Sequence, residues 1–423
     1  MYMDKYYVRG GRRLSGEIFI PSAKNSVLPI IACSILSRED IEIRNCPRLS
    51  DIERMTDIIT RLGGRAELKD GTLYINNRDL SCGSVSAELT GSIRSSIFIL
   101  GPILGRFGKA SVSYPGGCEI GLSPIDLHIA GLKSLGVRVR EQGGMIDCEA
   151  ARITGGTVHL DFPSVGATEN IMMAAVLAKG RTVITNAARE PEIVDLQGFI
   201  NRLGGRVHGA GGGVIVIDGV DALGGGRYAP IADRIVAGTL LCAGAVTGGD
   251  VTVTNMYAET LGAVTGKLTA AGCTVLGYDD RIRIVAPDRL RAVGKIETQP
   301  YPGFPTDMQP QFTALLCTAE GTGIVCENLF ENRFKYTVQL NKLGADITVR
   351  DRTAVVRGVP RLTGAPVTAE DLRGGAALVV AALAAEGETE VSGVRHIERG
   401  YERLDEILAG IGADIRGLTA ANT

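Results

Sequence analysis

Four basic residues stand where a helix disfavours them. The N-terminus of an α-helix carries partial positive charge, so a cation in the first turn costs about a few tenths of a kcal/mol unless an anion also binds there. Lys24 follows the candidate cap Ser22, Arg94 follows Ser92, Arg234 follows Asp233 and Arg373 follows Asp371, each opening an apolar run. Together they point to phosphate or carboxylate ligands. For any one of them a salt bridge to a nearby acid, such as Asp233 or Asp371, is the competing reading. Three further segments could carry chemistry. Cys118 lies in the glycine-rich turn Tyr114–Gly121, between a β-prone run and the helix expected from Pro124; an exposed thiol facing cations is expected to be reactive. Asp307, in Phe304-Pro305-Thr306-Asp307, opens an apolar helix, where the helix dipole accounts for a carboxylate as readily as catalysis does. The run from His396 to Arg403 precedes the last charged helix, and its charges equally fit an ordinary helix start.

Other chemistries lack their residues. The four histidines (128, 159, 208, 396) show no metal-ligand spacing, and the nine cysteines form no C-x-x-C pair. Most of those thiols sit in apolar surroundings and read as small core residues, without disulfides. The phosphate-binding loop G-x-x-x-x-G-K-[ST] is absent, as is a G-x-G-x-x-G between a strand and a helix. With 45 basic against 47 acidic residues there is no electrostatic reason to expect a nucleic-acid or anionic-membrane partner. The longest apolar stretch, Ala376–Ala385, is about half of the ~20 residues a membrane span needs, and the start MYMDKYYVRG has no signal-peptide core. A cytoplasmic protein of two or three domains is expected from these features and the 423-residue length.

The elements that must position these residues repeat six times. A helix-length segment ends in a Leu/Ile/Ala-Gly step and leads into a short β-prone run, with the glycines at 63, 136, 204, 272, 344 and 412. Each glycine fits the left-handed position just past a helix end. A second series of helices, beginning near residues 22, 92, 164, 232, 306 and 370, is apolar almost all round and therefore buried; the helices before the glycines carry charge and belong on the surface. Six units of about 70 residues exceed one core, so they are expected to group three and three, the buried helices inside and the sheets outside, in preference to an extended solenoid, whose repeats are usually about 20 to 50 residues.

The motifs resemble a known family. Ser22-Ala23-Lys24-Asn25, Pro115-Gly116-Gly117-Cys118, Ser164-Val165-Gly166-Ala167-Thr168, Arg189 to Asp195, Phe304 to Gln309, Phe330-Glu331-Asn332-Arg333 and Arg399 to Arg403 are similar to those of the UDP-N-acetylglucosamine 1-carboxyvinyltransferases, in the same order to about Gly417. The resemblance implies an inside-out α/β barrel of two globules, residues 1–23 with 231–423 forming one and 24–230 the other, with the substrate cleft between them. It implies the first committed step of peptidoglycan synthesis: transfer of the enolpyruvyl group of phosphoenolpyruvate to the 3′-hydroxyl of UDP-N-acetylglucosamine, with release of phosphate. Partners are then these two small molecules, with no metal or organic cofactor. By the same resemblance Cys118 is the acid or transient nucleophile, on a lid that moves when the sugar nucleotide binds, and Asp307 takes the hydroxyl proton. Lys24, Arg333, Arg373 and Arg399 hold phosphate and carboxylate, and Asn25 lies beside the ketal. Arg94, the Ser123-Pro124-Ile125-Asp126-Leu127 loop, Ser164-Val165-Gly166 and Leu329 contact the UDP-sugar.

One position departs from the family pattern. Ser123 stands where the family has an arginine that helps hold phosphate, and a serine hydroxyl is short and neutral. The alternatives this leaves are a catalytically weakened paralogue that binds the sugar nucleotide, and 5-enolpyruvylshikimate-3-phosphate synthase, which shares the fold and the chemistry.

Overall fold

All six step glycines adopt the left-handed backbone, with φ from +82° to +103°. At each step the glycine N–H bonds three residues back and the next N–H five residues back, as in Gly63 to Thr60 and Gly64 to Ile59. This pattern satisfies carbonyls that the helix end would leave bare. The computed structural model describes residues 3–81, 94–113 and 125–419, for 94–96 the backbone only.

The described residues divide into two compact units, an insert unit within 21–231 and a split unit made of 3–20 and 232–419. The insert unit holds helices α1 (Lys24–Cys33), α2 (Ser50–Arg61), α3 (Leu100–Phe107), α4 (Asp126–Ser134), α5 (Val165–Ala175) and α6 (Pro191–Arg202). The split unit holds α7 (Arg234–Val246), α8 (Gly262–Ala270), α9 (Gln309–Leu316), α10 (Thr337–Lys342), α11 (Leu372–Ala384) and α12 (Leu404–Gly410). Odd-numbered helices are the apolar series: α11 is buried from Arg373 through Leu383, and α7 from Arg234 through Ala245. Even-numbered helices bury one stripe, as α2 does with Ile52, Met55, Ile58 and Ile59.

In the split unit α7, α9 and α11 pack on one another. In the insert unit α3 packs on α5, and both α1 and α5 meet the turn Arg94–Ile99 that leads into α3. Sheets of three or four strands bury one face against these helices: alternation puts Val251 and Val253 inward on strand Asp250–Thr254. Each unit has its own apolar core.

Strands flanking an apolar helix pair in parallel. Lys295–Glu297 precedes α9 and lies beside Thr322–Cys326, which follows it; Thr157–His159 and Arg181–Thr185 flank α5, and Val367–Thr368 and Glu388–Ser392 flank α11 in the same way. The helices α1 and α7 exchange this partner. Ser15–Phe19, which precedes α1, pairs with Asp250–Thr254 after α7, while Gly226–Tyr228, which precedes α7, pairs with Asp40–Ile43 after α1. Parallel pairing places the start of the intervening helix at the carboxyl ends of its two strands. For α9 and α11 that end is where Asp307 and Arg373 fall. Among the described residues no helix is long and apolar enough to cross a membrane.

Candidate active site

Lys24 opens α1, and its surroundings differ from the sequence reading in two ways. Ser22 is not the cap, because its hydroxyl donates to the carbonyls of Arg44 (3.3 Å) and Pro230 (3.1 Å). Ala23 takes the capping position in extended conformation, with no side-chain bond. Lys24 is also no isolated cation: only 8% exposed, it places Nζ 3.3 Å from Asp51 Oδ2, and Asp51 is 3% exposed in the first turn of α2. Asn25 beside it is exposed.

Two segments expected at the sugar nucleotide come together in the insert unit. Ser164 caps α5 by accepting from Ala167 N, and Gly166 approaches the His128 ring so closely that a β-carbon there would lie 3.3 Å from it. His128 is two residues past Asp126 on α4, and its Nδ1 lies 3.0 Å from the Asn170 amide nitrogen on α5. This contact fixes the start of α4, Ile125-Asp126-Leu127, against Ser164-Val165-Gly166. In that short stretch Ile125 is buried, Asp126 exposed and Leu127 half-buried. Sequence reading assigned no role to His128; the signal was a glycine where α5 needs no flexibility. The Arg189–Asp195 motif also gains a purpose, since Asp195 accepts from the Tyr228 hydroxyl (2.7 Å) and from Ile231 N (3.1 Å), tying down the segment that leaves the unit.

In the split unit Asp307 is gripped from both sides. It sits in the 3-10 turn Thr306–Met308 that leads into α9. Arg333 Nη2 donates to Asp307 Oδ1 at 2.9 Å, while Arg373 donates to Oδ2 from Nε and Nη2, each at 3.0 Å. Both arginine side chains are 3% exposed, against 27% for the aspartate. Charge-assisted bonds of this length are strong. Arg373 also stacks 5.4 Å over the Tyr401 ring, and Arg333 lies 5.5 Å from the Phe330 ring. Burial works against the charge of Arg373, but Asp307 above all, with Tyr401 and Asp233, outweighs it and holds its pKa above the usual arginine range. Burial pushes the Tyr401 hydroxyl up.

Both acids offered by the salt-bridge reading cap their helices. Asp233 caps α7, accepting from Ile235 N and Val236 N, and Asp371 caps α11, accepting from Arg373 N and Gly374 N. The counter-ion of Arg373 is Asp307, 66 residues away. Arg399 is half-buried at the end of the 3-10 turn Val394–Arg399, two residues before Tyr401. Leu329 is half-buried, its N–H bound to Glu327. Cys118, Ser123 and Pro124 lie outside the described residues, as does the Arg94 side chain. No cluster of three or more acidic, histidine or cysteine side chains that could hold a metal ion occurs among the described residues.

What this arrangement can do is hold an anion beside a carboxylate that is kept charged and oriented by two guanidiniums, the setting in which a hydroxyl proton can be accepted next to a phosphate or carboxylate. Comparison with known proteins gives the family. A family model described as EPSP synthase (3-phosphoshikimate 1-carboxyvinyltransferase) matches residues 8–408. UDP-N-acetylglucosamine 1-carboxyvinyltransferase 2 of Caldanaerobacter subterraneus subsp. tengcongensis is 51% identical, covering 98% of this chain and 99% of its own length. UDP-N-acetylglucosamine 1-carboxyvinyltransferase 1 of Symbiobacterium thermophilum is 50% identical over 97% and 95%. Among solved structures, the enolpyruvyl transferase NikO from Streptomyces tendae superposes with a TM-score of 0.88 at 25% identity, covering 99% of this chain and all of that one. EPSP synthase from Acinetobacter baumannii, at 17% identity, 98% and 99% coverage and a TM-score of 0.75, shares the fold. The broad family model and the two named relatives agree once identity is weighed, and the chain belongs to the enolpyruvyl transferase family, among its UDP-N-acetylglucosamine 1-carboxyvinyltransferases.

Proposed function

We propose that the chain transfers the enolpyruvyl group of phosphoenolpyruvate to the 3′-hydroxyl of UDP-N-acetylglucosamine and releases phosphate, as a cytoplasmic step of peptidoglycan synthesis. The observation that carries this reading is the Asp307 carboxylate held between Arg333 and Arg373 in a chain about half identical to transferases of that name. Its fold is the inside-out α/β barrel, a reading supported in each unit by apolar helices inside and half-buried sheets around them.

The reaction proceeds by addition and elimination. Cys118 gives its proton to C3 of phosphoenolpyruvate, and the sugar 3′-oxygen bonds to C2 as its own proton passes to Asp307. The tetrahedral ketal then loses phosphate as the bond from C2 to the phosphate oxygen breaks; the Cys118 thiolate takes a proton back from C3, which restores the double bond, and Asp307 passes its proton to the departing phosphate. Lys24, Arg333, Arg373 and Arg399 neutralise the phosphate and carboxylate throughout, with Asn25 beside the ketal. Fixed cations stabilise such charge more than water does, because they need no reorganisation as it develops. Arg94, Ser123 to Leu127, Ser164 to Gly166 and Leu329 hold the sugar nucleotide. A continuous assay of phosphate release tests the reading. Phosphate is expected only when phosphoenolpyruvate and UDP-N-acetylglucosamine are both present, and its loss is expected in Asp307→Ala; release without the sugar nucleotide overturns the proposal.

A further inference from the structure

The carboxylate of Glu327 is fully buried, 0% exposed, yet faces four donors. Its Oε1 accepts from the Thr298 hydroxyl (2.8 Å), Leu329 N (2.9 Å) and Phe330 N (3.2 Å), and its Oε2 from the Thr306 hydroxyl (2.8 Å). A buried carboxylate is tolerated only when its lone pairs are met in this way. The parallel strands explain the meeting: Glu297 pairs with Cys326, so Thr298 and Glu327, the residues that follow, leave the sheet side by side. Between these strands the chain forms α9, whose entry turn begins with Thr306. Glu327 therefore joins the turn that carries Asp307 to the segment that carries Arg333, the two partners of the 2.9 Å ion pair. The Thr298 hydroxyl extends the tie by accepting from Asn328 N at 2.9 Å.

We propose that Glu327 is a positioning residue for the transfer reaction: through Thr306 on one side and the Leu329 and Phe330 amides on the other, it sets where the Asp307 carboxylate stands relative to Arg333. This rests on the reading of Asp307 as the group that receives the hydroxyl proton. Small displacements of a reacting group are costly because the geometry of attack is narrow. A glutamine could keep the tie, since its carbonyl still accepts three bonds and its amide can donate to the Thr306 oxygen, which a hydroxyl allows by turning. Alanine cannot.

Four variants of the full chain decide the matter: Thr306→Val, Thr306→Ser, Glu327→Gln and Glu327→Ala, each followed by kcat, KM for both substrates, Tm, and amide hydrogen exchange of the peptide spanning 327–333. Thr306→Val is expected to lower kcat about tenfold with KM changed less than about threefold, at nearly the parental Tm. Thr306→Ser and Glu327→Gln should restore kcat to within about threefold of the parent. Glu327→Ala should lower kcat further and speed exchange at Leu329 and Phe330 by about tenfold or more. The proposal is overturned if Thr306→Val keeps full kcat, or if Thr306→Ser is as impaired as Thr306→Val and the losses follow Tm. Should the parent itself release no phosphate, the proposed reaction fails on its own account, and exchange still decides the tie: faster exchange in Glu327→Ala supports it, and unchanged exchange overturns it.

Discussion

Replacing Lys24 by alanine separates chemistry from folding. The sequence alone predicts almost no loss of stability, since an isolated first-turn cation contributes about a few tenths of a kcal/mol. The structure predicts a larger loss, because Asp51, 3% exposed, faces the ammonium at 3.3 Å. Removing one partner of a buried pair typically costs about 3 to 5 kcal/mol. Here the contact is long for a charge-assisted bond, and Asp51 lies in the first turn of α2, where the helix N-terminus returns about 0.3 to 1 kcal/mol. A loss of about 2 to 4 kcal/mol is expected for Lys24→Ala. In Lys24→Ala/Asp51→Asn the buried charge is gone as well, and stability should recover to within about 1 kcal/mol of the parent. Turnover should not recover, because no ammonium is left to meet the phosphate. The assay is urea unfolding at constant m-value alongside kcat/KM for phosphoenolpyruvate. The reasoning is refuted if Lys24→Ala unfolds like the parent, if the double variant is no more stable than the single one, or if the double variant regains turnover.

Other expectations follow from individual groups. Burial pushes the Cys148 and Cys317 thiols up to about 12 and Cys273 to about 11, so at pH 8 a small electrophile resembling phosphoenolpyruvate should label Cys118 first; peptide mapping that finds Cys242 or Cys317 labelled first contradicts this. Ser123→Arg should raise kcat/KM for phosphoenolpyruvate about ten- to a hundredfold by adding a charge-assisted phosphate contact, at unchanged Tm; an unchanged kcat/KM shows that another cation already serves there. Glu169, 1% exposed and without a hydrogen-bond partner on either carboxyl oxygen, is held well above the usual carboxylate range by burial and by the nearby Glu192 and Glu190. The folded chain then keeps a proton that the unfolded chain loses, so stability falls as pH rises above about 4.3 toward the folded value. Urea unfolding from pH 5 to 8 should show a shallower fall in Glu169→Gln than in the parent, and equal slopes refute the assignment. Gly344→Ala should cost about 1 to 2 kcal/mol in urea unfolding through its φ of +88° alone, because the added carbon meets nothing within 4 Å. Gly266→Ala, inside α8 and equally open, should instead be neutral or slightly stabilising.

Local signals were legible in the sequence and long-range ones were not. The step glycines could be read because a left-handed residue past a helix end is a requirement of a few neighbouring atoms, and all six meet it. The apolar helices could be read because burial on every side leaves no polar stripe, as in α11. Ser22 misled because its hydroxyl is claimed by Pro230, 208 residues away, through a strand exchange that no local pattern announces. Lys24 and Arg373 were singled out as misplaced charges, but their partners Asp51 and Asp307 stand 27 and 66 residues away. The resemblance named Asp307, Arg333 and Arg373 as neighbours in function; that the two arginines grip opposite oxygens of the aspartate came from the structure. Glu327 carried no signal, since a glutamate at a strand end is usually a solvated one.

The central claim is the identity of the acceptor, and competition tests it most directly. Phosphoenolpyruvate is supplied with equal amounts of UDP-N-acetylglucosamine and 3-phosphoshikimate, and the enolpyruvyl product is identified by mass spectrometry as phosphate release is followed. The account predicts that the enolpyruvyl group appears on the sugar nucleotide, in step with phosphate, and is lost in Asp307→Ala. Its appearance on 3-phosphoshikimate, or on neither acceptor, contradicts the account.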